Sequence, residues 1–376
     1  MSDRLSLGAA HTLLLKSNGT VWAAGGNTFG QLGMNSRRHA ILNNFATIFS
    51  SGVKAVAAGA GHSMVLGQDG SVWSTGLNTD GQLGDGSHND RQNFVQVIPA
   101  HAEAVAAGAR HSLLIMRDGS VFAAGFNLYG QLGDGSTTHR SIFMYVIPSG
   151  ADAVAAGGDH SMVLKQDGSV WATGLNSRGQ LGDGSRQAKS KFVQVISSEA
   201  KAISAGNCHS IVLKQDRSVW MSGGNSFGQL GDGTATSRSN FVQVVERSVE
   251  AISFEIAISS GVQAIAAGHD HSMILKQDGS VWTTGRNNFG QLGEGTRTSS
   301  DTFVEVISGG VRAVDTGDWH SMVLKHDGSL WGTGANLFGQ VGDGSTSSKN
   351  IFVKVLPKHL GACIRVPWMS VICVNK

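Results

Sequence analysis

The sequence predicts an all-β protein, a seven-bladed β-propeller with four antiparallel strands in each blade. Three observations predict it. A unit with a usual spacing of 49 residues recurs seven times in one register. Every unit holds four short β-type runs separated by turn signals. No window sustains a helical period of apolar residues. At 376 residues the chain exceeds one ordinary core, and a repeat array accommodates that length.

The register is set by GHSMVLGQDGSVWSTGLNTDGQLGDGS, beginning at Gly61, with near-copies beginning at Ala10, Arg110, Asp159, Cys208, Asp270 and Trp319. The lead histidines are His11, His62, His111, His160, His209, His271 and His320, spaced by 51, 49, 49, 49, 62 and 49 residues. Asparagine returns at 27, 78, 127, 176, 225, 287 and 336, and phenylalanine at 45, 94, 143, 192, 241, 303 and 352.

Within the second unit the elements follow in order. Val53 to Gly59 is small and β-branched, suited to a crowded inner strand. His62 to Leu66 alternates and gives the second strand. Gln68 to Ser71 is a hairpin turn whose Asp-Gly pair supplies positive φ. Val72 to Thr75 is the third strand, Gly76 to Ser87 a long glycine-rich loop, and Phe94 to Ile98 the fourth strand. A lone unit of this kind buries too little to be stable, whereas seven packed radially share a core and leave only short edges.

Composition narrows the function classes. The formal charge is +2 with scattered Lys and Arg, too weak a bias for nucleic acid or an anionic membrane. Three cysteines without metal spacing point to a reducing compartment. The polar start leads straight into repeat sequence, and the apolar stretch from Cys363 is broken by Arg365 and Pro367. The expectation is an intracellular, cytoplasmic or nuclear, protein. Its propeller spans 1–356, and a divergent segment covers 357–376 as a clasping strand or a docking tail.

The run G-x-x-H-S-x-x-L-K-x-D-G-S-V-W-x-x-G-x-N-x-x-G-Q-L-G-D-G resembles the regulator of chromosome condensation repeat family over residues 5 to 356. The resemblance implies a seven-bladed propeller. It leaves function open, because relatives include a nuclear exchange factor for a small GTPase, modules of ubiquitin ligases, a plant UV-B photoreceptor and a secreted bacterial enzyme inhibitor.

Seven internal copies separate shared positions from unshared ones. A residue present in every blade answers a need every blade has. The histidines are therefore read as bonding backbone at blade junctions, since ligands spread around a ring cannot converge on one ion. The asparagines and Gly-Gln-Leu-Gly segments read as loop fasteners. The acidic residue that follows (Asp85, Asp134, Asp183, Asp232, Glu294, Asp343, with Asn35 in the first unit) reads as a turn cap, because calcium-loop spacing is missing. Trp22, Trp73, Trp171, Trp220, Trp282 and Trp331, with Phe122 in the third unit, read as core.

Recognition falls to the positions that vary. The pairs before the histidines are Ala9-Ala10, Ala60-Gly61, Ala109-Arg110, Gly158-Asp159, Asn207-Cys208, His269-Asp270 and Asp318-Trp319. They share a face with the long loops, so Arg110, Asp159, Asp270, Asp318 and Trp319 are expected on the rim as partner-binding residues. The alternative is an ordinary solvated rim. One loop register reads Phe29, Asp80, Tyr129, Arg178, Phe227, Phe289 and Phe338. Its aromatics are expected to pack on the adjacent blade, while Asp80 and Arg178 join the candidate binding residues.

The 62-residue spacing contains a tandem copy: 241–253 aligns with 254–266. One copy is expected to leave the ring on the opposite face. For function, the first reading is a protein-interaction scaffold. The second, implied by the resemblance, is a guanine nucleotide exchange factor for a Ran-like GTPase, with Asp159-His160 and Asp270-His271 matching its Asp-before-His feature. A third is a UV-B sensor, to which Gly317-Asp318-Trp319-His320 comes nearest. No catalytic constellation, cofactor or metal site is expected.

Overall fold

The computed structural model describes residues 3–34, 41–245 and 261–356. These residues form seven four-stranded antiparallel sheets and no helix. The blades run Arg4–Phe49, Val53–Ile98, Ala102–Ile147, Ala151–Ile196, Ala200–Val245, Val262–Ile307 and Val311–Leu356. Each is built of four consecutive strands, ordered from the inner to the outer position. Inner strands touch their neighbours around the circle, including the first against the last, so the propeller is closed.

The unit two elements fall where the sequence puts them, with one difference. The outer strand begins at Arg91, three residues before Phe94. Gly76 pairs with Arg91, and the Thr75 hydroxyl donates to the Arg91 carbonyl at 2.9 Å. Arg91-Gln92-Asn93 is polar and sits on an edge, so no apolar alternation marks it in the sequence.

The core lies between blades. Leu7, Leu14, Ala24 and Phe45 of blade one pack with Met322, Leu324 and Leu330 of blade seven. Met162, Leu164 and Ala172 of blade four likewise meet Ala200 and Val212 of blade five. Each buried Leu or Met contributes about 1.5–3 kcal/mol. A half-exposed ion pair such as Arg91–Asp85, at 2.6 Å, contributes about 0–1 kcal/mol, so packing between blades holds the ring.

Two glycine positions show how tightly the units nest. A Cβ on Gly59 would lie 2.4 Å from His62 Cε1 and 2.5 Å from the Gly108 carbonyl of the next blade. A Cβ on Gly84 would lie 2.3 Å from the ring of Phe143, which the next blade's outer strand lays beneath that loop.

The tryptophans pack on the core as expected: Trp22, Trp73, Trp220, Trp282 and Trp331 lie against its buried clusters. They are half-buried in the outer part of the blade. Trp331 donates its indole N–H to Ser329 Oγ at 2.9 Å, and the Lys325 ammonium stands 4.7 Å over its ring. Of the tandem copy, Phe241–Val245 ends the outer strand of blade five, and Val262–Ala267 forms the inner strand of blade six. The expected excursion at 246–260 and the segment 357–376 lie outside the described residues.

Candidate functional site: the loop face of blades four to seven

The shared histidines build the floor of this face. All seven are fully buried. Each Nε2 meets a hydroxyl one blade on, as in His62 to Ser112, His160 to Ser210 and His271 to Ser321, each at 2.9 Å. The hydroxyl donates in turn to a glutamine carbonyl, as Ser112 does to Gln82 at 2.7 Å. The partner is thus a side chain, where the sequence reading placed backbone. The geometry also fixes the tautomer. The serine proton is spent on the carbonyl, so Nε2 carries the donated hydrogen. Burial pushes these imidazoles down to about 3 or 4, which keeps them neutral.

Asparagine fastens the loops as expected. Asn78 Nδ2 donates to Asp85 Oδ1 at 2.9 Å and to the Ser87 and Asn89 carbonyls, while its Oδ1 accepts Leu83 N–H. Asp85 caps its turn by accepting Ser87 N–H at 2.9 Å. Burial raises Asp85, but the bonds from Arg91 and Ser87 outweigh it and hold the carboxyl below the ordinary range. Among the described residues no group of three or more His, Cys, Asp or Glu could hold a metal ion.

Above this floor the unshared residues meet at blade junctions. At two junctions the loop residue before Gly-Gln reaches the next blade's residue before its histidine. Asp80 pairs with Arg110 at 3.6 Å, and the Arg110 guanidinium stands 3.7 Å over Phe126. Phe289 meets Trp319 edge-on at 5.8 Å. Arg178 is exposed and acts electrostatically on Cys208. Burial, with Asp270 adding to it, pushes the Cys208 thiol up to about 11.

Blades five to seven carry the densest cluster. Trp319 stacks on His269 at 4.4 Å. Arg286 lies over both Phe227 and Trp319, at 4.6 and 4.8 Å, and so joins two junctions. Its Nη1 reaches Asp270 at 3.4 Å, and its Nε is buried without an acceptor. Asp270 also accepts from His269 Nδ1 at 2.9 Å and Gln229 Nε2 at 3.4 Å. Burial raises Asp270, but His269 and Arg286 outweigh it and its carboxyl ends below the usual range. Asp318 is held above that range by burial, with His269 opposing and Asp270 reinforcing. Asp159 is raised as well, by burial, with Arg110 opposing and Asp80 reinforcing. Asp159 accepts one bond, from Gln131 Nε2 at 3.2 Å.

The structure therefore brings Asp270, Asp318 and Trp319 together, joins Asp80 to Arg110, and leaves Arg178 apart near Cys208. Of the Asp-His pairs, Asp159 and Asp270 belong to the face. His160 and His271 lie beneath it, wholly buried on Ser210 and Ser321, out of a partner's reach. Sequence reading missed Arg286. Its register, one before each shared asparagine, reads Gly26, Leu77, Phe126, Leu175, Gly224, Arg286 and Ala335. That variation was the available signal.

Shared residues that close a ring, with unshared residues gathered on one face, define a repeat propeller with a variable loop face. Comparison with known proteins places it more narrowly. The family model of the regulator of chromosome condensation (RCC1) repeat matches at 4–31, 53–82, 103–131, 151–180, 200–229, 262–291 and 311–340, more than half of the chain. The chain belongs to that family.

Among curated relatives, the Caenorhabditis elegans X-linked retinitis pigmentosa GTPase regulator homolog is 40% identical over 86 residues, 23% of this chain and 6% of that protein. The Danio rerio RCC2 homolog is 43% identical over 82 residues, 21% of this chain and 16% of the relative. The matched region thus spans a small part of either relative's length. Among solved structures, Saccharomyces cerevisiae Prp20p, studied for its binding to Gsp1p and histones, has a TM-score of 0.79 at 20% identity, covering 91% of this chain and 87% of that one. Human WBSCR16 has a TM-score of 0.75 at 23% identity, covering 86% and 88%. These likenesses establish the fold.

Proposed function

We propose that this propeller is a protein-interaction scaffold whose partner docks on the loop face over blades four to seven. The observation that carries the reading is the Arg286–Trp319–His269 cluster, made of residues that no other blade repeats. Trp and Arg dominate interface hot spots, and loops on a rigid ring hold them in place before a partner arrives. Leu337 and Phe338, in the blade seven loop on the side of blade one, are 61% and 44% exposed and add apolar surface. A photo-crosslinker at Leu337 is expected to capture the partner, and one at Lys354 on the outer strand is not. Capture at Lys354 alone would count against this face.

A second reading makes the partner a small GTPase and the activity nucleotide exchange. It is favoured by Asp159 and Asp270 standing before repeat histidines, and by relatives named as GTPase regulators. Such exchange stabilises a nucleotide-free partner and needs no covalent chemistry, and a cytoplasmic or nuclear setting belongs to the same reading. Nucleotide-release assays on purified small GTPases test it, with Asp270→Ala expected to slow release. The UV-B reading draws no comparable support, because among the described residues the ring partners of Trp319 are His269 and Phe289 and not a second tryptophan.

A further inference from the structure

Six of the seven blade junctions are bridged by the chain itself. The junction of blade seven with blade one is different. Among the described residues no blade mixes strands from the two ends of the chain, so side-chain and backbone contacts close that seam.

One inner-strand register bears on it. Two residues before the junction glycine stand Ser6, Ala57, Ala106, Ala155, Ser204, Ala266 and Asp315. Three of these reach the next inner strand. Ser6 Oγ accepts Ala58 N–H at 2.9 Å, Ser204 Oγ accepts Ala267 N–H at 3.1 Å, and Asp315 Oδ2 accepts Leu7 N–H at 2.9 Å. The Ser204 bond spans the junction with the longest chain connection, and the Asp315 bond spans the open seam. The Ser6 bond spans the ordinary junction of blades one and two, so a side-chain acceptor is not confined to the costlier closures. Only at the seam is that acceptor an acid.

We propose that Asp315 is a titratable latch on the open seam. Protonated, it lets the last inner strand seat against the first; ionised, it loosens that seat. The charged or titratable groups on the packed elements are Arg4 and Asp3 on the blade one side, His271 and Lys276 on blade six, and Arg312, His320 and Lys325 on blade seven. Arg312 pairs with Asp3 at 3.0 Å. Both imidazoles are bonded to hydroxyls and neutral. Lys276 and Lys325 stand over Trp282 and Trp331. Among the described residues none compensates a charge on Asp315. Burial moves its carboxyl up to about 7, against the opposing pull of the Thr316 and Leu7 N–H groups. A group raised in the closed ring and ordinary in the open one favours closure at low pH, and that advantage fades as pH climbs through about 7.

The test compares thermal midpoints of the unaltered chain, Asp315→Ser and Asp315→Asn from about pH 5.5 to about pH 8.5. Asp315→Ser copies the acceptor used by Ser6 and Ser204. The unaltered chain is expected to lose at least about 3 °C more than either variant across that range. Amide exchange at Arg4–Leu7 should quicken on the alkaline side beyond its intrinsic rate, and only with Asp315 present. Should Asp315→Ser not fold, Asp315→Asn carries the comparison. Parallel pH profiles for the unaltered chain and Asp315→Asn would overturn the latch.

Discussion

His320 Nε2 stands 2.9 Å from Thr12 Oγ1, across the seam where the last blade meets the first. Thr12 donates to the Gln340 carbonyl at 2.7 Å, so the imidazole is the donor. Six serines take the same place at the other junctions, and the bond therefore runs in a closed circuit through seven fully buried imidazoles. With every Nε2 occupied by its proton, these histidines brace the ring.

The hydroxyl in that circuit is predicted to matter more than the residue that carries it. Ser210→Ala strands the His160 N–H inside the junction and leaves the Gln180 carbonyl only its long 3.4 Å bond from Ser222, at a cost of about 1–3 kcal/mol. Ser210→Thr keeps the hydroxyl, as Thr12 does, and should cost clearly less. Urea denaturation of both variants checks this, and equal losses would mean that the bond contributes little.

Two glycines separate crowding from backbone strain. Gly150 has φ of 80°, and a Cβ there would have nothing within 4 Å, so Gly150→Ala should cost about 1–2 kcal/mol. A Cβ on Gly157 would meet the Gly206 carbonyl at 2.4 Å and His160 Cε1 at 2.5 Å. Neither neighbour can yield without opening the junction, so Gly157→Ala should cost more than about 3 kcal/mol. Thermal unfolding ranks the pair, and a tolerated Gly157→Ala would contradict the packing described.

Acid should unfold the ring through its histidines. Their folded values, about 3 to 4, lie below the ordinary 6.5. The stability tied to neutral imidazole is therefore complete above 6.5 and drains away as pH falls through about 4. Circular dichroism against pH should show one cooperative loss there, and its proton uptake should exceed what the carboxylates alone supply.

The fold was legible because seven copies act as an internal alignment. His62, Asn78 and Phe94 recur in register, and each meets a requirement of every blade. What remained hidden lies in relations between distant positions. The hydroxyl that receives each imidazole belongs to another unit about 50 residues on, as with His62 and Ser112. Arg286 occurs once at its position, and only folding brings it over Phe227, 59 residues earlier, and Trp319, 33 later. Asp80 and Arg110 entered as separate candidate binding residues, and only the ring pairs them.

The most direct test of the recognition face is the affinity of a captured partner for Trp319→Ala/Arg286→Ala, measured by calorimetry beside Lys354→Ala on the outer strand. The double variant should bind at least about 100-fold more weakly, with its thermal midpoint nearly unchanged, while Lys354→Ala binds normally. Equal affinity in all three proteins would contradict the account, because the shared residues would then be the ones a partner reads.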